Sequence, residues 1–133
     1  SSAYSGVISI FMARAGQQRP PTIYGDGTQS RDFVYVADVV RACLLAAVSP
    51  RAVGRSIDLG SGVSVSIGQL WQYIRHLSSF ESEPQFAPSR PGDIHTSLAD
   101  VSRAGSLLNF NPAYTFEQGL ALTFEWYKKH VRT

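Results

Sequence analysis

The stretch IYGDGTQSRDFVYVADVVRA, residues 23–42, joins a Gly-Asp-Gly turn, one arginine, a β-branched and aromatic run and an alanine-rich run. The β-branched and aromatic run predicts a strand over residues 32–36. Asp38 then stands at the predicted N-cap of a helix that extends to Val48. Apolar residues recur along that helix at helical spacing, which predicts one buried face composed of Val39, Val40, Cys43, Leu44 and Ala47.

Short helices and strands alternate on both sides of this stretch. Residues 6–17 predict a helix with a glycine stop at Gly16, and PPTIYG predicts a brief strand before the turn. RSIDLGSG predicts another strand, and the capping boxes that begin at Ser66 and Thr115 predict the starts of two later helices. The remaining predicted elements are an edge strand in PQFAP, a polar loop or short strand in RPGDIHTSLAD, a short helix capped by Asp100, and a basic end to the last helix at Lys128, Lys129 and His130.

This order predicts a single α/β domain over residues 1–133, with no internal repeat and no composition break. A chain of 133 residues that is 44% hydrophobic and 17% charged has enough apolar content for a core. Its one cysteine, Cys43, allows no internal disulfide and is expected to be a buried small side chain, which favours a reducing compartment. Because no run reaches the roughly 18 apolar residues of a membrane span, we expect a cytoplasmic protein with no membrane partner.

The net charge of +2 contains a bias, because ten of the twelve basic residues are arginine. Arginine suits bidentate recognition of phosphate or carboxylate, although the composition of the source genome explains such a bias equally well. A nucleic-acid partner is not expected, because the excess charge is small and forms no cluster.

Several motifs that would define a chemistry are absent from the sequence. It contains no G-x-G-x-x-G, P-loop or G-x-S-x-G, and GSG at 60–62 is a weak match that lacks the third glycine. Three scattered histidines and one cysteine give no metal-ligand spacing. What remains is a set of parts suited to phosphate: Arg31, Arg90 in SRPGD, and the glycine-flanked Asp26 and Asp93. The alternative is that such arginines pair with neighbouring acids, as Arg31 could with Asp32.

The order of these blocks resembles one known family. PPTIYGDGTQSRDFVYVADVVRACLLAA, SIDLGSGVSVSIGQLWQYI, APSRPGDIHTSLADVSRAGSLLNFNP and TFEQGLALTFEWYKKH are similar to successive carboxyl-terminal blocks of the extended short-chain dehydrogenase/reductases, the NAD-dependent sugar-nucleotide epimerases and dehydratases that include UDP-glucose 4-epimerase. The resemblance covers nearly the whole chain. It implies a small mixed α/β lobe that corresponds to the carboxyl-terminal part of the family fold, without the amino-terminal Rossmann half.

The same resemblance implies a substrate site. Arg31 and Arg90 match arginines that contact the nucleotide phosphates, and Asp93 matches an acid that holds the ribose. Ile23 and Tyr24 match positions that line the base pocket, although Ile23 could equally be a core residue. The implied ligand is a UDP- or dTDP-sugar.

No catalytic residue is expected in this chain. In the family the glycine-rich NAD turn and a Tyr-x-x-x-Lys pair lie in the amino-terminal part, and none of the six tyrosines here has a lysine four positions later. His95, near the expected site, is interpreted as a surface or packing residue. Asp58 departs from the asparagine that relatives often carry there, which leaves that contact open. We therefore expect no NAD bound by this chain alone and no turnover in isolation.

Two arrangements remain open for the protein. In one, the chain binds a sugar nucleotide, as a fragment or beside a separate Rossmann-half chain. In the other, it is a relic or free-standing module that oligomerises without binding nucleotide. In both, helix 39–48 and strand 56–59 would be exposed without a Rossmann half, which predicts a homo-oligomer, such as a dimer, that covers them.

Overall fold

The structure is a computed structural model that describes residues 6–131. These residues form a mixed α/β fold of short elements, as the sequence predicts. In chain order the elements are α1 (Val7–Gly16), β1 (Thr22–Tyr24), β2 (Ser30–Asp32), α2 (Val36–Val48), a 3₁₀ turn (Pro50–Ala52), β3 (Ser64–Ser66), α3 (Ile67–Ser78), β4 (Gln85–Ala87), β5 (Thr96–Ser97), α4 (Ser102–Leu108) and α5 (Phe116–His130).

Two small sheets join distant parts of the chain. β1 pairs with β4 in parallel, with Ile23 opposite Phe86. β2 lies between antiparallel β3 and parallel β5, so that Arg31 is opposite Val65 on one side and Ser97 on the other. Strands of two or three residues bury little surface, and their main effect is to fix the loops that follow them.

The main core lies where α1, α3 and α5 meet. Trp71 of α3 is 1% exposed and meets the ring of Phe11 from α1 edge to face, with the ring centroids 5.7 Å apart. Leu120 and Phe124 complete the cluster from α5. A second, smaller cluster joins α2 to α4 and the segment after it, and contains Ala42, Ala104, Leu108 and Phe110.

Both predicted capping boxes are present. The Ser66 hydroxyl accepts from the Gln69 N–H at 3.1 Å, and the Gln69 side chain accepts from the Ser66 N–H at 2.9 Å. Thr115 and Gln118 form the same reciprocal pair at the start of α5. The first residues of α3 and α5 are therefore set locally by the sequence.

The predicted strand at 32–36 is wrong in position, because the strand spans Ser30–Asp32 and α2 already begins at Val36. Partner strands are available only beside residues 30–32, whereas the next aromatic rings pack toward α5: Phe33 lies 5.5 Å from Phe116, and Tyr35 lies 4.8 Å from Tyr114, between ring centroids. RSIDLGSG also forms no strand, since it has no partner strand among residues 6–131.

Asp38 does not occupy the N-cap position, which belongs to Tyr35. Its side chain is fully buried and accepts hydrogen bonds from the backbone N–H groups of Ala113 and Tyr114, ahead of α5. The prediction of a local cap is therefore corrected to a tertiary link between α2 and the loop before α5. Asp100 lies one residue before the N-cap of α4, and its carboxylate accepts from the Ser102 N–H at 3.0 Å.

The predicted buried face of the 39–48 helix is largely exposed. Val40 is 54% exposed and Leu44 is 65% exposed, while Ala42 on the opposite side is 1% exposed and packs toward α4. Cys43 is exposed as well, which corrects its prediction as a buried residue. Helical spacing identified an apolar stripe correctly, but within residues 6–131 nothing covers it. This agrees with the expectation that the helix would be exposed in the absence of a Rossmann half.

Candidate functional site

A cavity of about 430 Å³ lies between α1, β1, β2 and the loop at 88–95. All five residues proposed as ligand contacts from the sequence line it, although they come from three separate parts of the chain. They are Ile23, Tyr24, Arg31, Arg90 and Asp93.

The β1 wall of the cavity combines a core residue and an exposed one. Ile23 is 1% exposed and belongs to the main core, so it lines the cavity as part of a rigid floor. Tyr24, the next residue of the strand, is 37% exposed. The Arg90 guanidinium lies 3.8 Å from the centroid of the Tyr24 ring, which places a cation on an aromatic face.

Arg31 projects from β2 and donates three hydrogen bonds, the longest of them from Nη1 to the His95 carbonyl at 3.5 Å. One terminal nitrogen, Nη2, donates to Asp93 Oδ1 at 3.1 Å, and the other, Nη1, donates to the Ser30 carbonyl at 2.8 Å. The alternative pairing of Arg31 with adjacent Asp32 does not form. Arg31 pairs instead with Asp93, 62 residues away, because parallel pairing of β2 with β5 brings the loop before β5 alongside Arg31.

Asp32 instead closes the glycine turn after residue 59. Its carboxylate accepts from the Ser61 N–H at 2.7 Å, the Ser61 hydroxyl at 2.6 Å and the Gly62 N–H at 3.0 Å. Gly60 lies so close to this carboxylate that a Cβ would clash with it and would sit 2.5 Å from the Cβ of Ala99. The turn is thereby packed against β2, and its N–H groups are occupied.

The loop at 88–95 brings its two site residues together. The Asp93 N–H donates to the Arg90 carbonyl at 3.1 Å, and Gly92 supplies the positive φ of 80° that this tight turn contains. Arg90 and Asp93 consequently line one cavity. The side chain of Asp93 is 42% exposed, so it can release Arg31 and hydrogen-bond to another group while it stays in contact with solvent.

A second cavity of about 460 Å³ adjoins the first and shares Tyr24, Gln29, Arg90 and Asp93 with it. His95 lies there as an exposed residue, with Nε2 3.2 Å from the Thr28 hydroxyl, in agreement with its interpretation as a surface residue. Asp26 accepts hydrogen bonds from the hydroxyl and the N–H of Thr28. Both bonds lower the pKa of the Asp26 carboxyl, and the hydroxyl has the larger effect. Asp26 is therefore an acceptor that holds the turn.

Seven residues that line the first cavity were not predicted from the sequence, and two of them, Gln29 and Arg14, carry nitrogen donors. Gln29 donates to the Tyr24 carbonyl at 2.5 Å and so fixes the turn after β1. Arg14 lies one turn after Ile10 on the same side of α1, and both line the cavity. Arg14 is seven residues after Val7, so helical spacing in the sequence would have placed both residues on one face of α1.

Within residues 6–131, no group of three or more histidine, cysteine and acidic side chains could hold a metal ion. Across the same range, every helix is too short or too polar to cross a membrane.

Comparisons with known proteins agree with the fold of this lobe. Residues 1–60 match the NAD dependent epimerase/dehydratase family. A putative UDP-glucose 4-epimerase of Methanocaldococcus jannaschii is 33% identical over 97% of this chain and 41% of its own length. The UDP-glucose 4-epimerase of Mycolicibacterium smegmatis is 35% identical over 93% of this chain and 39% of its own length.

Solved structures give the same result. The UDP-glucose 4-epimerase of Thermotoga maritima, crystallised with UDP-glucose, superposes with a TM-score of 0.91 at 34% identity, over 98% of this chain and 42% of that one. The UDP-glucuronic acid 4-epimerase of Bacillus cereus, in complex with UDP-glucuronic acid and NAD, superposes with a TM-score of 0.87 at 28% identity. The match covers 94% of this chain and 40% of that one.

The chain belongs to the NAD-dependent epimerase/dehydratase family, which confirms the resemblance seen in its sequence blocks. It is similar to one portion of these proteins, since it spans about two fifths of the length of the curated relatives it matches.

Proposed function

We propose that this chain is the part of a sugar-nucleotide epimerase or dehydratase that binds the nucleoside diphosphate, with a UDP- or dTDP-sugar as ligand. The observation that supports it is the convergence of Arg31, Arg90 and Asp93 with Tyr24 in one cavity. Two guanidinium groups suit a diphosphate, and a carboxylate suits the hydroxyl pair of a ribose. The ring of Tyr24, now covered by Arg90, offers a face for a pyrimidine base.

The cofactor of the family does not fit the residues of this chain. The weak match to a glycine-rich cofactor turn is the GSG turn at 60–62, and the N–H groups of Ser61 and Gly62 already donate to Asp32. Those donors would be needed for a pyrophosphate, and the acidic Asp32 would repel it. We propose that NAD and the reacting groups lie outside this sequence, with the Rossmann half joined in a longer chain or supplied by a separate one, and that this chain alone gives no turnover.

The direct test is calorimetry with UDP and dTDP on the wild type, Arg31→Ala and Arg90→Ala. We expect each substitution to weaken UDP binding by about tenfold or more, because a charge-assisted hydrogen bond is lost in a cavity with few other cations. Arg51→Ala is the matched control, since Arg51 is an exposed arginine in the 3₁₀ turn and lines neither cavity.

The proposal fails if the wild type shows no binding of either nucleotide at millimolar concentration. It also fails if Arg51→Ala weakens UDP binding as much as the two site variants do, since the interaction would then reflect total charge. Thermal unfolding of each variant shows whether it is folded.

A second candidate function is an oligomerising module that binds no nucleotide. The observation that favours it is the exposed stripe along α2 at intervals of four residues: Val36, Val40, Leu44 and Val48. These side chains are 54–79% exposed, and a stripe of this kind is typical of a helix that packs against a partner. The proposed partner is a second copy of the chain in a symmetric dimer.

Light scattering at tens of micromolar distinguishes the two candidates. The oligomerising module would be supported if the wild type is a dimer that binds no UDP and if Leu44→Glu is a monomer. A wild-type monomer would contradict it. A dimer that also binds UDP at the cavity would be compatible with the first proposal, because α2 lines neither nucleotide cavity.

A further inference from the structure

We propose that Arg14 is a third phosphate-binding arginine of the cavity, an inference that rests on the proposed nucleoside diphosphate site. Arg14 stands in the last turn of α1, outside every block on which the family resemblance was based. It lines the same cavity as Arg31 and Arg90. The three guanidinium groups come from a helix, a strand and a loop, so together they surround an anion from different sides.

The position of Arg14 is fixed by the helix that carries it. Val7, Ile10 and Arg14 line the cavity at a spacing of three and four residues, which is one face of a helix. On the adjoining face Phe11 and Ala15 are 2% and 1% exposed and anchor α1 in the core. Because its backbone is held by buried neighbours, Arg14 projects from a rigid wall.

The guanidinium of Arg14 is available to a ligand. Within residues 6–131, Arg31 pairs with Asp93 and Arg41 pairs with Asp38, whereas Arg14 is exposed and its side chain makes no ion pair or hydrogen bond. A cation held beside a cavity without an acidic partner keeps its donors for an incoming anion.

The charge of the cavity wall matches this role. Three arginines and one aspartate line it, which gives a net charge of +2. A nucleoside diphosphate esterified to a sugar carries about two negative charges, one for each phosphate group. Without Arg14 the wall would carry only +1 after Asp93 is counted.

A structural explanation of Arg14 is also available, because a basic residue near the carboxyl end of a helix stabilises the helix dipole. Arg19 provides the matched control. It lies three residues after the end of α1, its N–H donates to the Arg14 carbonyl, and its side chain lies outside the nucleotide cavity. A purely structural role for Arg14 would change the melting temperature and would leave the charge dependence of ligand binding unaltered.

The test is calorimetry with uridine, UMP, UDP, UDP-glucose and UDP-glucuronate on the wild type, Arg14→Ala, Arg14→Lys, Arg19→Ala and Arg31→Ala. We expect Arg14→Ala to weaken UDP binding by about threefold to tenfold, within the range for a solvent-accessible charged contact. The loss should be equal for both UDP-sugars and absent for uridine. Arg14→Lys should recover part of the affinity, Arg19→Ala should resemble the wild type, and the salt dependence of UDP binding should be shallower in Arg14→Ala.

The other outcomes separate this inference from the proposed function. If Arg31→Ala weakens UDP binding and Arg14→Ala does not, the role of Arg14 is refuted and the diphosphate site stands. If Arg14→Ala affects UDP-glucuronate alone, Arg14 contacts the sugar acid and the assignment to the diphosphate is wrong. If the wild type binds no UDP, both proposals are refuted together.

Discussion

Replacing Asp38 with alanine removes the carboxylate that joins α2 to the loop before α5. Asp38 is 0% exposed and accepts from the Ala113 N–H at 2.9 Å, from the Tyr114 N–H at 3.1 Å and from Arg41 at 2.9 Å. The two backbone donors lose their acceptor in Asp38→Ala, and the guanidinium of Arg41 loses its charged partner. The main expected effect is therefore on stability.

The magnitude follows from how exposed each donor is. A buried donor left without an acceptor costs about 1–3 kcal/mol, and Ala113 and Tyr114 belong at the lower end because both residues are exposed. Arg41, with a side chain 42% exposed, regains water and adds little. We expect Asp38→Ala to lower the free energy of unfolding by about 2 kcal/mol, which is a large share of the stability of a small domain.

Urea unfolding followed by tryptophan fluorescence and circular dichroism measures this loss, with Asp58→Ala as the control. Asp58 is exposed, so its substitution changes the net charge equally and should cost less than about 0.5 kcal/mol. The reasoning would be refuted if Asp38→Ala and Asp58→Ala had the same midpoint, since the buried carboxylate would then contribute nothing.

The pH dependence gives an independent check with Asp38→Asn. Burial acts to raise the pKa of Asp38, but the hydrogen bonds from Ala113, Arg41 and Tyr114 outweigh it and lower the pKa. A lowered pKa means that the carboxylate stabilises the fold above the unfolded value and that this stabilisation is lost as the pH falls through the folded value. The stability difference between wild type and Asp38→Asn should be constant at neutral pH and should shrink below about pH 4.

Three further changes test other parts of the fold. Gly60→Ala places a methyl group against Asp32 and should destabilise the chain by about 1–3 kcal/mol by urea unfolding, so a neutral result would contradict the close packing of this turn. Thr115→Ala removes one half of the capping box with Gln118 and should cost about 1 kcal/mol, whereas Thr115→Ser should cost less because it keeps the hydroxyl. The Cys43 thiol should react with a chromogenic disulfide reagent in dilute native protein, and full protection until urea is added would contradict its exposed position.

The sequence by itself determined where two helices begin and to which family the chain belongs. The capping boxes at Ser66 and Thr115 lie where their spacing predicts, because the atoms that form them are only three residues apart. The family blocks identified the five candidate ligand residues as a set, and the structure places them in one cavity, while their role as ligand contacts remains a prediction.

Only the tertiary structure decided which partners these side chains take. Arg31 could pair with its neighbour Asp32 or with an acid elsewhere, and strand pairing selected Asp93, 62 residues away. Asp38 has the pattern of a local cap but accepts from donors 75 and 76 residues later. Helical spacing revealed the apolar stripe of α2 without revealing that it is exposed. In each case the sequence fixes the chemical character of a residue, and contacts between distant segments determine what surrounds it.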